Sequence, residues 1–489
     1  MSRAPIAVYV RRLFIIRVGN VGEQPEGSTK RSCAVLTAFG SFVFGVLLLQ
    51  MDLFGYGEAT KRFTEVLAFQ LFAPAYTGGH PKGMTVLLVD DNGLDEMQTT
   101  WPLSYEEHAG LLRRLVDFRP AAIMVDILFL DDRRTKEGDR GFEALREIVA
   151  EPAIPSDGGP PVPVFLATTE ELASNPVSDT FARDEEPAAG AGERWDEGVQ
   201  YVVVASQDSV RQSLHYPLSS GGGAEGQDQG AAYEIYRFLC NSRDDFGCVD
   251  RKVRDENYGY PMYVYWSVEP PPLNVGQADR GIFCRTIPSY PMYFAERASE
   301  RFAPYYQTCP PVDTILARDF FHSKYRNTKR AKDLFGAAFT DKVVFYGVSL
   351  EGLRDVVQTP NHGLTPGVYL HAMALDNLIT LGRDYQRPSR KILFGTTTVT
   401  GLVQIGILAI LAVISLGVSL RLKGFRFSFL EKNWPIFTLV LTVGMFVFSA
   451  IVGVLQLKVF HGVPINIIGL SLIAPLSPVM LRFLCSRKE

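Results

Sequence analysis

Four long stretches almost empty of charge, at 33–51, 392–420, 435–457 and 463–481, constrain this chain more than any other feature of its 489 residues. A hydrocarbon core about 30 Å thick is crossed by roughly 20 apolar residues of helix, and each stretch is near or above that length. Four transmembrane α-helices are expected. The second would extend about 44 Å at 1.5 Å per residue, more than a bilayer needs, so it tilts or projects as a stalk. Between the first two stretches lies a polar region that carries nearly all the acidic charge. The 49 Lys plus Arg nearly balance 53 Asp plus Glu, and 47% of residues are apolar, so neither a disordered polyampholyte nor a nucleic-acid binder fits.

Basic residues in short flanks resist translocation, whereas long domains cross largely regardless of charge. Arg3, Arg11, Arg12, Arg17, Lys30 and Arg31 precede the first stretch, and Arg421, Lys423, Arg426 and Lys432 separate the second from the third. Arg482, Arg487 and Lys488 follow the fourth. All three flanks are therefore cytoplasmic. This predicts a cytoplasmic tail over 1–32, a first span over 33–54, an extracytoplasmic domain over 55–390, and three spans with short loops and a cytoplasmic end over 391–489. Arg383, Arg387, Arg390 and Lys391 oppose the rule but close a long domain. The twin arginines of VRRLFII lie some way before the apolar run and no A-x-A cleavage site follows, so the first stretch reads as an uncleaved anchor rather than an export signal.

Cysteine usage fits an oxidising exterior, because Cys240, Cys248, Cys284 and Cys309 form an even set within the outside domain. Three pairings are open; proximity favours Cys240 with Cys248 and Cys284 with Cys309. Zinc is a weak reading, since no C-x-x-C pair occurs and His215 and His322 lie far from the cysteines in sequence. Cys33 and Cys485 fall at the ends of apolar stretches.

The outside domain reads as α/β. The segment 58–72 spaces Phe63, Val66, Leu67 and Leu71 at helical intervals, predicting a juxtamembrane helix. TVLLVDD at 85–91 is a short apolar run ending in carboxylates, as in a buried parallel strand. Ser104 and Glu107 form a capping box before the helix YEEHAGLLRRLVDF, Pro120 follows it, and AAIMVDILFL is a second buried strand. Strand, helix, strand at this spacing is a βαβ unit, and it predicts a parallel-type sheet with flanking helices. A helix is expected over 141–150, with strands over 162–168, 199–206 and 341–349, and a helix over 369–380. The stretches 167–199 and 219–230 have loop composition. No role is assigned to 170–335, whose part from 258 to 306 is rich in aromatics and proline.

Two separated blocks resemble the type 2 CHASE family, an extracytoplasmic sensory module of bacterial receptors. The first comprises TVLLVDDNGLDEM and WPLSYEEHAGLLRRLVDFRPAAIMVDILFLDD; the second is DKVVFYGVSLEGLRDVVQTPNHGLTPGVYLHAMALDNLI. They are similar to the family's opening acidic-ended strand, its Trp-Pro followed by a His-bearing helix, its Asp-Ile-x-Phe strand, and its closing Gly, Asp, Thr-Pro, Pro-Gly-Val and His-Ala series. One apolar stretch before the module and three after it match the family's frame. The family often has an arginine soon after Trp-Pro, where this chain has Leu103, Ser104 and Tyr105. The resemblance implies a multi-pass protein of the bacterial inner membrane, with its large domain in the periplasm or extracellular space, sensing a ligand and working as a homodimer. Family members commonly continue into a cytoplasmic cyclase or kinase; this chain stops shortly after its fourth stretch, so a separate membrane or cytoplasmic output protein is expected.

Asp90 and Asp126 each follow an apolar strand, and the carboxyl ends of parallel strands border the crevice where ligands bind. With Asp91 they could hold a divalent cation or a cationic solute; the plainer alternative is that they cap helices or bind loop amides. His108 on the first helix and His371 near the start of the last are groups able to titrate near neutral pH, or else simply satisfied side chains. In the closing loop Pro360, Pro366 and Gly367 fix a turn, leaving Asp355 and Thr359 as ligand or partner contacts. Phosphate-loop, serine-elbow and H-E-x-x-H motifs are absent, and the run GGGAEGQDQG lacks the lysine that phosphate cradling needs. No ionisable residue falls mid-stretch, against an ion pathway. The expectation is a sensor that is not an enzyme and needs no cofactor. It relays through close helix contacts at Gly417, Gly444, Gly453 and Gly469, or through the loop 421–434. The alternatives are a structural or assembly subunit of an envelope complex, and a metal-dependent hydrolase using Asp90, Asp126 and His371.

Overall fold

The computed structural model describes residues 26–72, 83–129, 139–150, 153–168, 200–204, 214–218, 230–243, 246–250, 252–254, 258–267, 310–321, 328–353, 355–388, 391–392, 397–421, 439, 442–448, 451–452 and 465–473. The chain divides into two units, one of residues 1–64, 390–454 and 464–489, the other of residues 65–389 and 455–463.

In the first unit a helix at Glu26–Gln50 packs against one at Val399–Arg421, around Leu48, Ile407, Leu408, Leu411, Met445, Leu470 and Ile473. Gln50 Nε2 donates to Gln404 Oε1 at 3.0 Å, a polar link between the two helices. Asp52 and Phe54 turn the chain with positive φ, and Asp52 Oδ1 accepts the Glu58 amide as the helix Tyr56–Phe72 begins. Asn466 then uses its whole amide: Nδ2 donates to the Gly57 carbonyl and to Thr60 Oγ1, while Oδ1 accepts from Thr64 Oγ1 and from the amide of Gly469 in the helix Ile467–Ile473. Gly57, Thr60 and Thr64 share a face because they recur at helical spacing. Of the expected contact glycines, Gly469 is packed against Leu49, whereas Gly417 and Gly444 have open space beside them and Gly453 lies outside the described residues.

Among the described residues no single helix is long and apolar enough to cross a membrane; Val35–Gln50 and Leu53–Gln70 would qualify together but are bent by 79°, and the apolar helix Val399–Ile414 is shorter. Most of the third and fourth apolar stretches lies outside the described residues.

The second unit is built on six parallel strands: β1 (Met84–Asp90), β2 (Ala122–Val125), β3 (Val164–Thr168), β4 (Gln200–Val203), β7 (Asp313–Leu316) and β8 (Val343–Ser349). They lie in the order β4-β3-β2-β8-β1-β7. Two short pairs, β5 (His215–Tyr216) with β6 (Met262–Tyr263) and β9 (Val356–Thr359) with β10 (Gly363–Pro366), are antiparallel. Buried on both faces, the central strands are continuous apolar runs, and alternate residues serve different cores. Met84, Val86, Ala122, Met124, Val343 and Phe345 face one core; Leu87, Val89, Ile123, Val125, Val344 and Tyr346 face the other.

Helices cover each face. On the second core lie α1 (Asp91–Met97), α2 (Tyr105–Asp117), α3 (Asp139–Val149), α5 (Ala317–Phe321) and α6 (Lys329–Phe339); on the first lie α4 (Ala231–Ser242) and α7 (Val368–Leu381). The Ser104 hydroxyl accepts the Glu107 amide and Glu107 answers at the Ser104 amide, the predicted capping box. Helix α7 is buried from Val368 to Leu378, as a helix apolar on nearly all sides must be. Its one buried amide, Asn377, pairs with both the N–H and the C=O of Tyr265. Cys240 and Cys248 are disulfide-bonded; Cys284 and Cys309 lie outside the described residues. The disulfide fixes the start of 248–250, where Asp250 Oδ2 accepts from Tyr258 Oη and from the Arg383 amide just beyond α7.

Candidate functional site

At the carboxyl edge of the sheet the chain leaves β1 and β2 toward one face, by way of α1, α2 and α3, but leaves β8 toward the other, by way of α7. Strand β8 sits between β1 and β2, so the chain exits diverge on its flanks, the usual ligand position in a parallel sheet. Groups from three connections meet there.

Asp126 follows β2, its amide fixed to the Tyr346 carbonyl at 2.8 Å. Its carboxyl, with 11% of the side chain exposed, stands 3.6 Å from Nε2 of His371 on the first turn of α7. Nδ1 of His371 is 2.7 Å from the hydroxyl of Tyr216, and that hydroxyl accepts the Ala232 amide at 3.0 Å. The His371 ring thus lies between the Tyr216 hydroxyl and the Asp126 carboxyl. Asp355, after β8, packs its carboxyl against Gly367 so closely that a Cβ there would clash with Oδ1. The Gly367 amide also donates to the Asp355 carbonyl.

Burial dominates the electrostatics. It pushes Asp126 up to about 7 and His371 down to about 4, the latter opposed by the Asp355 carboxylate. Asp355, which keeps more contact with solvent, is raised to about 6 by desolvation first and by the Asp126 charge second, with His371 pulling the other way. Burial also raises the Tyr216 phenol. The site thus gathers two weak carboxyls and a neutral imidazole, a set that exchanges protons near neutrality.

The other sequence candidates stand elsewhere. Asp90 caps α1, accepting the Gly93 amide at 2.9 Å with Arg318 at 3.9 Å, and Asp91 accepts the Glu351 amide at 3.0 Å. Both therefore act as helix cap and loop staple, and Asp90 does not join His371. His108 lies across the sheet from His371, its Nδ1 at 2.9 Å from Tyr346 Oη and its ring edge-on to Phe129. Thr359 is spent on the β9–β10 turn, accepting from the His362 amide and donating to the Gly363 carbonyl. Among the described residues no group of three or more His, Cys, Asp and Glu is placed to hold a metal ion. Tyr216 is the participant that sequence reasoning missed; in a two-residue strand it carries no periodic signal.

The family model for the CHASE2 domain matches residues 33–415. No curated protein and no solved structure matches the chain.

Proposed function

Because the chain belongs to the CHASE2 domain family, whose members are extracytoplasmic sensory domains, we propose that its α/β unit senses a ligand in the crevice beside β8. The observation that carries this reading is the Asp126–His371 contact at the point where the strand exits diverge. It is a buried polar contact that joins the end of β2 to the helix leading back toward residue 390. A ligand acts there through unequal affinity for two arrangements of that contact.

The wider reading is a multi-pass protein of the bacterial inner membrane with four spans, both termini cytoplasmic and residues 55–390 outside. The basic flanks support the orientation. Leu36, Phe39, Ile410, Val413, Ile414, Val443 and Val447 support the embedding, for each is a large apolar side chain turned outward on a helix of the first unit. Helix movements would then pass the signal to a separate output protein, with the chain acting as a homodimer.

The test has two arms. An impermeant thiol reagent should label Lys252→Cys in intact cells, and labelling only after lysis would sink the topology. Thermal stability of the full chain against periplasmic metabolites should rise with one of them, and Asp126→Asn should remove the rise. The competing reading, a docking subunit, draws on Val356 and Leu364, exposed on the β9–β10 hairpin; a crosslinked protein partner with no ligand response would favour it.

A further inference from the structure

The Asp126 carboxyl stands 3.6 Å from the His371 imidazole and the Asp355 carboxylate interacts electrostatically with both, and among the described residues neither carboxyl forms an ion pair with a lysine or arginine. The titratable groups facing Asp126 come from three elements: His371 on α7, Asp355 on the loop after β8, and Tyr216 on β5. Helix α4 and strand β8 contribute backbone groups, the Ala232 amide to Tyr216 and the Tyr346 carbonyl to the amide of Asp126. His371, lowered to about 4 by burial, meets Asp126 as a neutral ring.

We propose that the proton is the ligand of this crevice: Asp126, Asp355 and His371 bind and release it as one unit. Its occupancy sets how closely the loop after β8 and the first turn of α7 are held to the end of β2. This rests on the reading of the crevice as the sensory site. Two neighbouring carboxylates repel, and a shared proton removes the repulsion. Release of the proton drives Asp355 away from Asp126, and Asp355 is in contact with the backbone of Gly367 at the head of α7. Uptake closes the crevice; loss opens it. Burial sets the two carboxyls to titrate near 7 and near 6, so both changes fall close to neutrality.

The test uses the full chain in lipid nanodiscs with Cys33 and Cys485 replaced by Ser. Spin labels at Leu128→Cys and Leu353→Cys, both exposed and placed after β2 and β8, report the opening. From about pH 5 to about pH 8.5 the interlabel distance should lengthen. The carboxylic-acid C=O band in pH-difference infrared spectra should be lost with a midpoint near 7. Asp126→Asn should abolish the distance change and the band component with a midpoint near 7, leaving that of Asp355 at lower pH, and His371→Gln should move the midpoint; the infrared titration of the parent needs neither variant to fold. A carboxyl band that titrates only in the ordinary carboxylate range, or a distance indifferent to pH, overturns the proposal. If amino acids, sugars or dicarboxylates then stabilise the chain through Asp126, the crevice keeps its sensory role with another ligand. If nothing acts through Asp126, both readings fall.

Discussion

Gly347 sits in β8 on the face covered by α7, and a Cβ built on it would lie 2.6 Å from Val368 Cβ and 2.7 Å from Val368 Cγ2. Ordinary contact begins near 3.4 Å, so Gly347→Ala forces the first turn of α7 to retreat by about 1 Å. The strand is buried on both sides and cannot yield, which places the cost of overpacking at about 1–3 kcal/mol. The same retreat carries His371, one turn along, away from Asp126. Urea unfolding of the full chain, followed by fluorescence of Trp266 buried on the same face, measures the loss. A partner substitution, Val368→Gly, removes the atoms that clash and costs about 2–3 kcal/mol alone through lost burial and a helical glycine. The double variant should be more stable than the sum of the two losses predicts, by about 1–2 kcal/mol. Additivity within about 0.5 kcal/mol, or a Gly347→Ala variant as stable as the parent, would refute the claim that glycine lets α7 approach the sheet.

Three further outcomes are expected. Asp126 keeps its proton up to about 7 when folded but only to its ordinary value when unfolded, so its contribution makes stability fall as pH rises across that window. His371, lowered to about 4, does the reverse between about 4 and 6.5, so His371→Gln should steepen the fall there; thermal midpoints against pH that instead flatten would contradict this. Opening the Cys240–Cys248 link by a double Ser replacement should cost about 2–3 kcal/mol for so short a loop, read by chemical unfolding. Gly382→Ala should cost about 2 kcal/mol or more, because φ is positive there and a Cβ would meet Asp250 Oδ2 at 2.5 Å; trypsin cleavage at Arg383 should quicken with it.

Local chemistry made much of the α/β unit legible. The capping box at Ser104 and Glu107, the apolar runs that become β1, β2, β3 and β8, and the helix beginning near Tyr369 all announce themselves through short-range signals. Helix α4 carried a readable pattern too, with Ala231, Ile235, Tyr236 and Leu239 on one face, hidden by the glycine-rich run before it. Strand β7 is four residues long and owes its place to parallel pairing with β1, which no local pattern encodes. The insertion of β8 between β1 and β2 is likewise a matter of distant contacts, and it is this insertion that makes the chain exits diverge beside β8. Asp126 and His371 were visible as candidates because each sits at the end of a clear element. That His108 would fall on the opposite side of the sheet could not be read without knowing which face each helix covers.

Asn466 has consequences for the order in which the molecule is made. Three of its four hydrogen bonds close on groups some four hundred positions earlier, from Thr64 Oγ1, 402 residues away, to the Gly57 carbonyl, 409 away. The turns from Gly57 to Thr64 are synthesised early yet must wait, their polar inner faces provisionally hydrated, until translation has passed nearly to the far end. A ribosome that stalls before residue 466 therefore leaves the helix from Tyr56 without its fastening.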